Sequence, residues 1–186
     1  MPDAQRIVIR IKKGTDGRTA LSCIRADGTT TWQRQEGAQA TFFPKHDLTH
    51  FAVETTLGHQ QGFYGLVSAG WDFSDFGSPW PRGRLPAEAS ISEMIVGMLD
   101  LERRVGEPLS VEDLNEKLAE YALENALPRQ RPLTEEDLAG IRAKRAEMFA
   151  KWDAVRPGEA LEVPFDVAQA NLRDERAPSL HGNGAE

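Results

Sequence analysis

Three of the chain's four histidines fall within fourteen residues, at His46, His50 and His59, in a segment that also holds Asp47 and Glu54. On a helix, His46, His50 and Glu54 are successive i, i+4 neighbours, about 6 Å apart along the axis and roughly 40° apart around it. They form one stripe, with Leu48, Phe51 and Ala52 on the opposite face. Two imidazoles at i and i+4 can reach one ion, the spacing zinc enzymes use, so His46, His50 and His59 are the candidate ligands for a divalent metal such as zinc. Asp47 and Glu54 are the candidate catalytic carboxylates, able to take a proton from metal-bound water. Glu54 lies about 12 Å from His46 along the axis, which strains any single-ion site that uses all three side chains. The third ligand is therefore sought at His59, Asp72, Asp75 or His181, or in Glu54 acting with His50 alone. A structural reading of the same residues stands beside this one. Asp47 near a helix start suits the macrodipole, and His50 with Glu54 makes an ordinary i, i+4 hydrogen-bonded pair.

The run His46-Asp47-Leu48-Thr49-His50 resembles the H-E-x-x-H signature of zinc metallopeptidases, with Asp47 where that family has Glu. The resemblance covers five residues and implies that His46 and His50 hold zinc while Asp47, one methylene shorter than Glu, activates the bound water. More broadly, residues 43–70, with H-D-L-x-H-x-x-V-E followed by Leu57-Gly58 and Gly62-Phe63-Tyr64-Gly65, are similar to a group of uncharacterised bacterial proteins. That likeness implies no activity and no cofactor.

Other chemistry is sparse. The loop from Trp71 to Arg84 holds four aromatics, two acids and two arginines, which suits a ligand-stacking lid, a partner-binding loop, or simply a plug for the end of the fold. Cys23 sits in an expected strand and reads as a small core residue. Ser68 does not lie in a G-x-S-x-G elbow, and neither a phosphate loop nor a dinucleotide fingerprint is present. An H…HD…D phosphohydrolase is set aside because no histidine precedes His46.

The elements that must position these residues read as α+β. Ile7, Ile9 and Ile11 alternate with Arg6, Val8, Arg10 and Lys12, the period of a strand. A second strand spans about Thr19 to Arg25, and Asp27-Gly28 turns the chain into a third at Thr29 to Gln33. Ala40-Thr41-Phe42-Phe43 reads as a fourth strand stopped by Pro44. A helix from Asp47 to Leu57 is closed by Gly58, and a second, small-residue helix is expected between Gly62 and Gly70. Three more helices start at Ser90, whose Glu93 completes a capping box, at Ser110, and at Thr134. Ala160 to Phe165 alternates as a last strand. The fold expected is an N-terminal antiparallel sheet of three or four strands packed against four or five helices, as one domain over residues 1–170 with a polar tail over 171–186.

The chain has 186 residues, 40% hydrophobic and 27% charged, a globular composition that excludes collagen-like and wholly disordered classes. No apolar run is long enough to span a membrane, the first twenty residues do not read as a secretory signal, and one cysteine suits a reducing cytoplasm. The net charge of −7 argues against nucleic acid as a partner, although residues 1–60 carry +2 and residues 87–186 carry −9. Two functions of different classes follow. One is a metal-binding, hydrolytic protein built on His46 and His50. The other is a non-catalytic cytoplasmic module for a small molecule or protein partner, with a structural histidine cluster.

Overall fold

The computed structural model describes residues 6–166; the polar tail over 171–186 and His181 lie outside them. Strands β1 (Arg6–Lys13), β2 (Thr19–Arg25), β3 (Thr30–Gln35) and β4 (Ala160–Asp166) form one antiparallel sheet in the order β3-β2-β1-β4. Five helices accompany it: α1 (Gly37–Leu57), α2 (Phe63–Ser68), α3 (Ala87–Val105), α4 (Val111–Glu124) and α5 (Glu135–Asp153). The fold is α+β, as the sequence pattern implies.

Alternation along the strands gives the sheet an apolar inner face. Ile7, Ile9, Ile11, Leu21, Cys23, Val163 and Phe165 point inward and pack against Leu48, Phe51, Tyr64, Val67, Met148 and Trp152. A second core joins Ala52 and Val53 of α1 to apolar residues of α3, α4 and α5, including Ile95, Leu99, Leu114 and Ile141. α1 thus contributes to both cores, which is why every residue from Asp47 to Glu54 is buried. β4 returns to the sheet by pairing with β1, Ile9 opposite Val163. Among the described residues no helix is long and apolar enough to cross a membrane.

Two local expectations are corrected. Ala40-Thr41-Phe42-Phe43 is not a fourth strand; α1 starts at Gly37 and runs through Pro44. Pro44 cannot donate to the Ala40 carbonyl, which instead accepts from the Thr19 hydroxyl at 3.5 Å. The aromatic pair that mimicked a strand makes helix-spaced ring contacts, Phe42 stacking on His46 at 5.4 Å and Phe43 meeting it edge-on at 5.6 Å. The other correction concerns Ser90, which is not a cap. α3 begins at Ala87 after Pro86, and the Ser90 hydroxyl donates to the Pro86 carbonyl inside the first turn. Glu93 is therefore free for another role.

Because α1 starts at Gly37, Asp47 is in its interior and not near a helix start, so the macrodipole reading of it falls, whereas other helix signals agree with the structure. Ser110 with Asp113 and Thr134 with Asp137 form reciprocal capping boxes, and Gly58 and Gly106 close α1 and α3 in the left-handed conformation. α3 and α5 are tied by Glu102, whose carboxylate takes Arg145 at 2.7 Å as well as Arg142. Thr134→Ala removes the acceptor for the Asp137 amide at 3.1 Å, and a loss of about 1 kcal/mol is expected, read as a lower urea midpoint. An unchanged midpoint would show that α5 does not depend on its cap.

Candidate metal centre

α1 and α3 lie side by side in opposite directions, so residues early in α1 meet residues late in α3. His46 faces Asp100, its Nδ1 lying 2.8 Å from Oδ2, and His50 faces Glu93, its Nε2 lying 3.0 Å from Oε2. Glu93 and Asp100 are seven residues apart, two helical turns, so both project from one face of α3. The His46 and His50 rings approach edge-on, centroids 4.9 Å apart. One ligand atom each from His46, His50 and Glu93 lies within 4.8 Å of the other two. His50 is buried, His46 half-buried and Glu93 exposed, so the group opens to solvent on the Glu93 side.

Glu54 stands behind His50 rather than in the group. Its carboxylate is completely buried; Oε1 meets His50 Nδ1 at 3.3 Å, and Oε2 accepts from the amides of Tyr64 at 3.0 Å and Gly65 at 3.3 Å. These amides belong to the first turn of α2, whose dipole favours a negative charge there. Two of the glycines expected to form a close-packed helix are explained by close approaches here, one of them to Glu54 itself. A Cβ on Gly62 would come within 2.5 Å of the Glu54 side chain, and one on Gly65 within 2.0 Å of the Gln60 carbonyl oxygen.

Each imidazole therefore has a carboxylate on Nδ1, Asp100 for His46 and Glu54 for His50. In metal sites this arrangement orients the histidines and raises their basicity, and here it would leave Nε2 as the nitrogen to face an ion. Asp100 is itself held by Arg103 at 3.0 Å. Burial works against charge on His50, but the hydrogen bonds and charges of Glu54 and Glu93 outweigh it and raise the imidazole to about 10. The His50 contact in turn lowers Glu93 against the opposing effect of burial. Burial alone would raise Asp100, yet His46 and Arg103 bring it below the usual carboxylate range.

The other expected site residues go elsewhere. His59 is turned to the Ser92 hydroxyl, 2.6 Å from Nδ1, and does not join the group; burial lowers its pKa. Asp72 and Asp75 are not brought to it either, since Asp72 pairs with Arg25 at 2.8 Å and Asp75 with Arg82 at 2.7 Å. Asp47 is buried on the core side of α1, and burial pushes its carboxyl up to about 7. Cys23 is a buried core thiol, held well above its usual range by burial and by the neighbouring charge of Asp47. The aromatic loop serves as a plug in part: Phe73 and Phe76 pack on Phe63 at 5.5 and 4.7 Å.

Glu93 is the member of the candidate group that sequence reasoning missed. Its S-x-x-E context mimics a capping box, and only the seven-residue spacing to Asp100, matched against His46 and His50, hints at a shared face. Two surface depressions, of about 330 and 350 Å³, are lined by neither histidine. The centre is a surface notch between two helices. Comparison with protein-family models, curated proteins and solved structures found no match to this chain.

Asp47 and His50 give stability a definite pH dependence. An acid raised in the folded state binds protons there that the unfolded chain has released, so Asp47 costs stability as pH rises from about 4 to about 7. His50, raised in the folded state, contributes stability fully below about pH 6.5 and loses it as pH rises through about 10. Asp47→Asn is expected to stabilise the fold by roughly 2–3 kcal/mol more at pH 8 than at pH 5, measured by urea unfolding. An equal change at both pH values would mean that Asp47 titrates normally.

Proposed function

We propose that this protein binds a divalent transition-metal cation of the zinc class through His46, His50 and Glu93. The observation that carries the reading is the convergence of these three groups within 4.8 Å while each imidazole holds a carboxylate on its other nitrogen. Two imidazoles and a carboxylate are a donor set that zinc accepts, with a fourth position left for water. That position faces solvent because Glu93 is exposed. Metal-bound water in such a site ionises near neutral pH, and hydrolysis of a small-molecule or peptide substrate is the reaction class it supports. Asp47 and Glu54 are both buried, and Glu54 has both oxygens committed, which favours metal-bound hydroxide over either carboxylate as the attacking base. The single buried thiol of Cys23 suits a cytoplasmic setting.

One observation favours a second reading. His50 has a carboxylate on each nitrogen, so Glu54, His50 and Glu93 already form a closed ion network that could brace α1 against α3 in a non-catalytic interaction module. Metal analysis separates the two. Protein purified without a nickel column or chelator is expected to hold near-stoichiometric zinc, iron or manganese by plasma mass spectrometry, and His50→Ala and Glu93→Gln to lose most of it while remaining folded. Metal-free wild-type protein that takes up no added zinc overturns the metal reading and leaves the ion network.

A further inference from the structure

The outer face of the sheet has a relief that the alternation of strands writes directly. Cross-strand partners share a face, and one outward row runs Arg10, Ser22, Trp32, the next Lys12, Ala20, Arg34. In both rows the central strand β2 carries a small side chain while β1 and β3 carry long ones. The result is a trough along β2 with Ser22 and Ala20 as its floor. Arg10 and Lys12 form one wall and Trp32 and Arg34 the other. At the hairpin end it opens into a depression of about 330 Å³ lined by Lys12, Arg18, Ala20 and Arg34 among others.

The chemistry of the walls is specific. Trp32 is 61% exposed, although an indole of that size is normally buried. The side chains of Lys12 and Arg34 make no hydrogen bond or ion pair among the described residues. Arg10 is paired with Glu162 at 3.0 Å, and Arg18 with Asp16 and Glu36. Cations therefore outnumber acids along the trough of a chain whose net charge is −7. Trp32 and Arg34 are two residues apart on one strand, about 7 Å, and Lys12 lies two strands away, a backbone separation of about 9.5 Å from Arg34. A flat ring with unpaired cations beside it, lining an elongated channel, matches a strand of alternating bases and phosphates.

We infer that this trough binds single-stranded nucleic acid, with a base stacked on Trp32 and the backbone phosphates at Lys12 and Arg34. The expectation drawn from net charge is reversed here because an average over the chain hides a face whose cations are segregated from the acidic helices. The site is remote in composition from the metal centre and shares no residue with it.

The test is fluorescence anisotropy of a labelled oligothymidylate of about 12 nucleotides, a length within single-strand site sizes, titrated with the full chain at low salt in the presence of a chelator. Micromolar binding is expected. Trp32→Ala should weaken it by about five- to hundredfold and Trp32→Phe should restore most of it. Lys12→Gln with Arg34→Gln should weaken it and reduce the magnitude of the log–log salt slope by about 1.4, two phosphate contacts' worth. Trp32 is exposed, so the variants are expected to keep the wild-type circular dichroism and urea midpoint. Absence of binding up to about 100 μM, the weak end of non-specific affinity, overturns the proposal. So does binding indifferent to Trp32→Ala and matched by heparin, which would make the face a general polyanion surface.

Discussion

A carboxylate withdrawn completely from water is costly unless both of its oxygens find partners, and Glu54 meets that condition, Oε1 with one imidazole and Oε2 with two backbone amides. That single demand fixes much of what surrounds it. The start of α2 must sit against α1 so that the Tyr64 and Gly65 amides point at Oε2. Gly62 must lack a side chain for the backbone to come that close, and Gly65 must lack one to clear the Gln60 carbonyl. His50 must turn Nδ1 toward Oε1, which commits its other nitrogen to the α3 side. Tyr64, anchored by the same contact, donates its hydroxyl to the Asp47 carbonyl at 3.1 Å and fills the core beneath the sheet.

From there the charges in the notch can be followed outward. Glu54, Glu93 and Asp100 are three acids clustered around two imidazoles, with Arg103 behind Asp100. Such a set attracts positive charge, supplied without metal by the proton on His50 and with metal by a dication that displaces it. On the proposed reading, metal uptake would release a proton and strengthen as pH rises. Because α1 is packed into both cores, the histidines are carried on a rigid element, and the two carboxylates on their Nδ1 atoms hold the rings in place.

Much of this was legible in the chain wherever a local rule applies. The isoleucine alternation of β1, the turn at Asp27-Gly28, the capping boxes at Ser110 and Thr134 and the terminator at Gly58 all express interactions between residues close in sequence. The histidine stripe was legible for the same reason. What failed was local reasoning about non-local facts. Phe42 and Phe43 look like strand residues, but both rings pack on His46 in the same helix, which runs through Pro44. Glu93 looks like a capping partner until α3 is docked antiparallel on α1, and that docking is decided by apolar residues such as Val53 and Ile95 that say nothing about metal. Mean charge is likewise blind to placement, since Lys12 of β1 and Arg34 of β3 flank Ala20 only once both strands pair with β2.

The central claim is that His46 and His50, with Glu93, form one first coordination sphere, and zinc K-edge X-ray absorption on protein loaded with one equivalent of zinc reads it most directly. The expected spectrum shows only nitrogen and oxygen donors, at about 2.0–2.2 Å, with the multiple scattering of two imidazoles. Glu93→Gln should alter the shell, and His50→Ala should remove one imidazole. A shell with fewer than two imidazoles in the wild type, or sulfur at about 2.3 Å, would contradict the assignment.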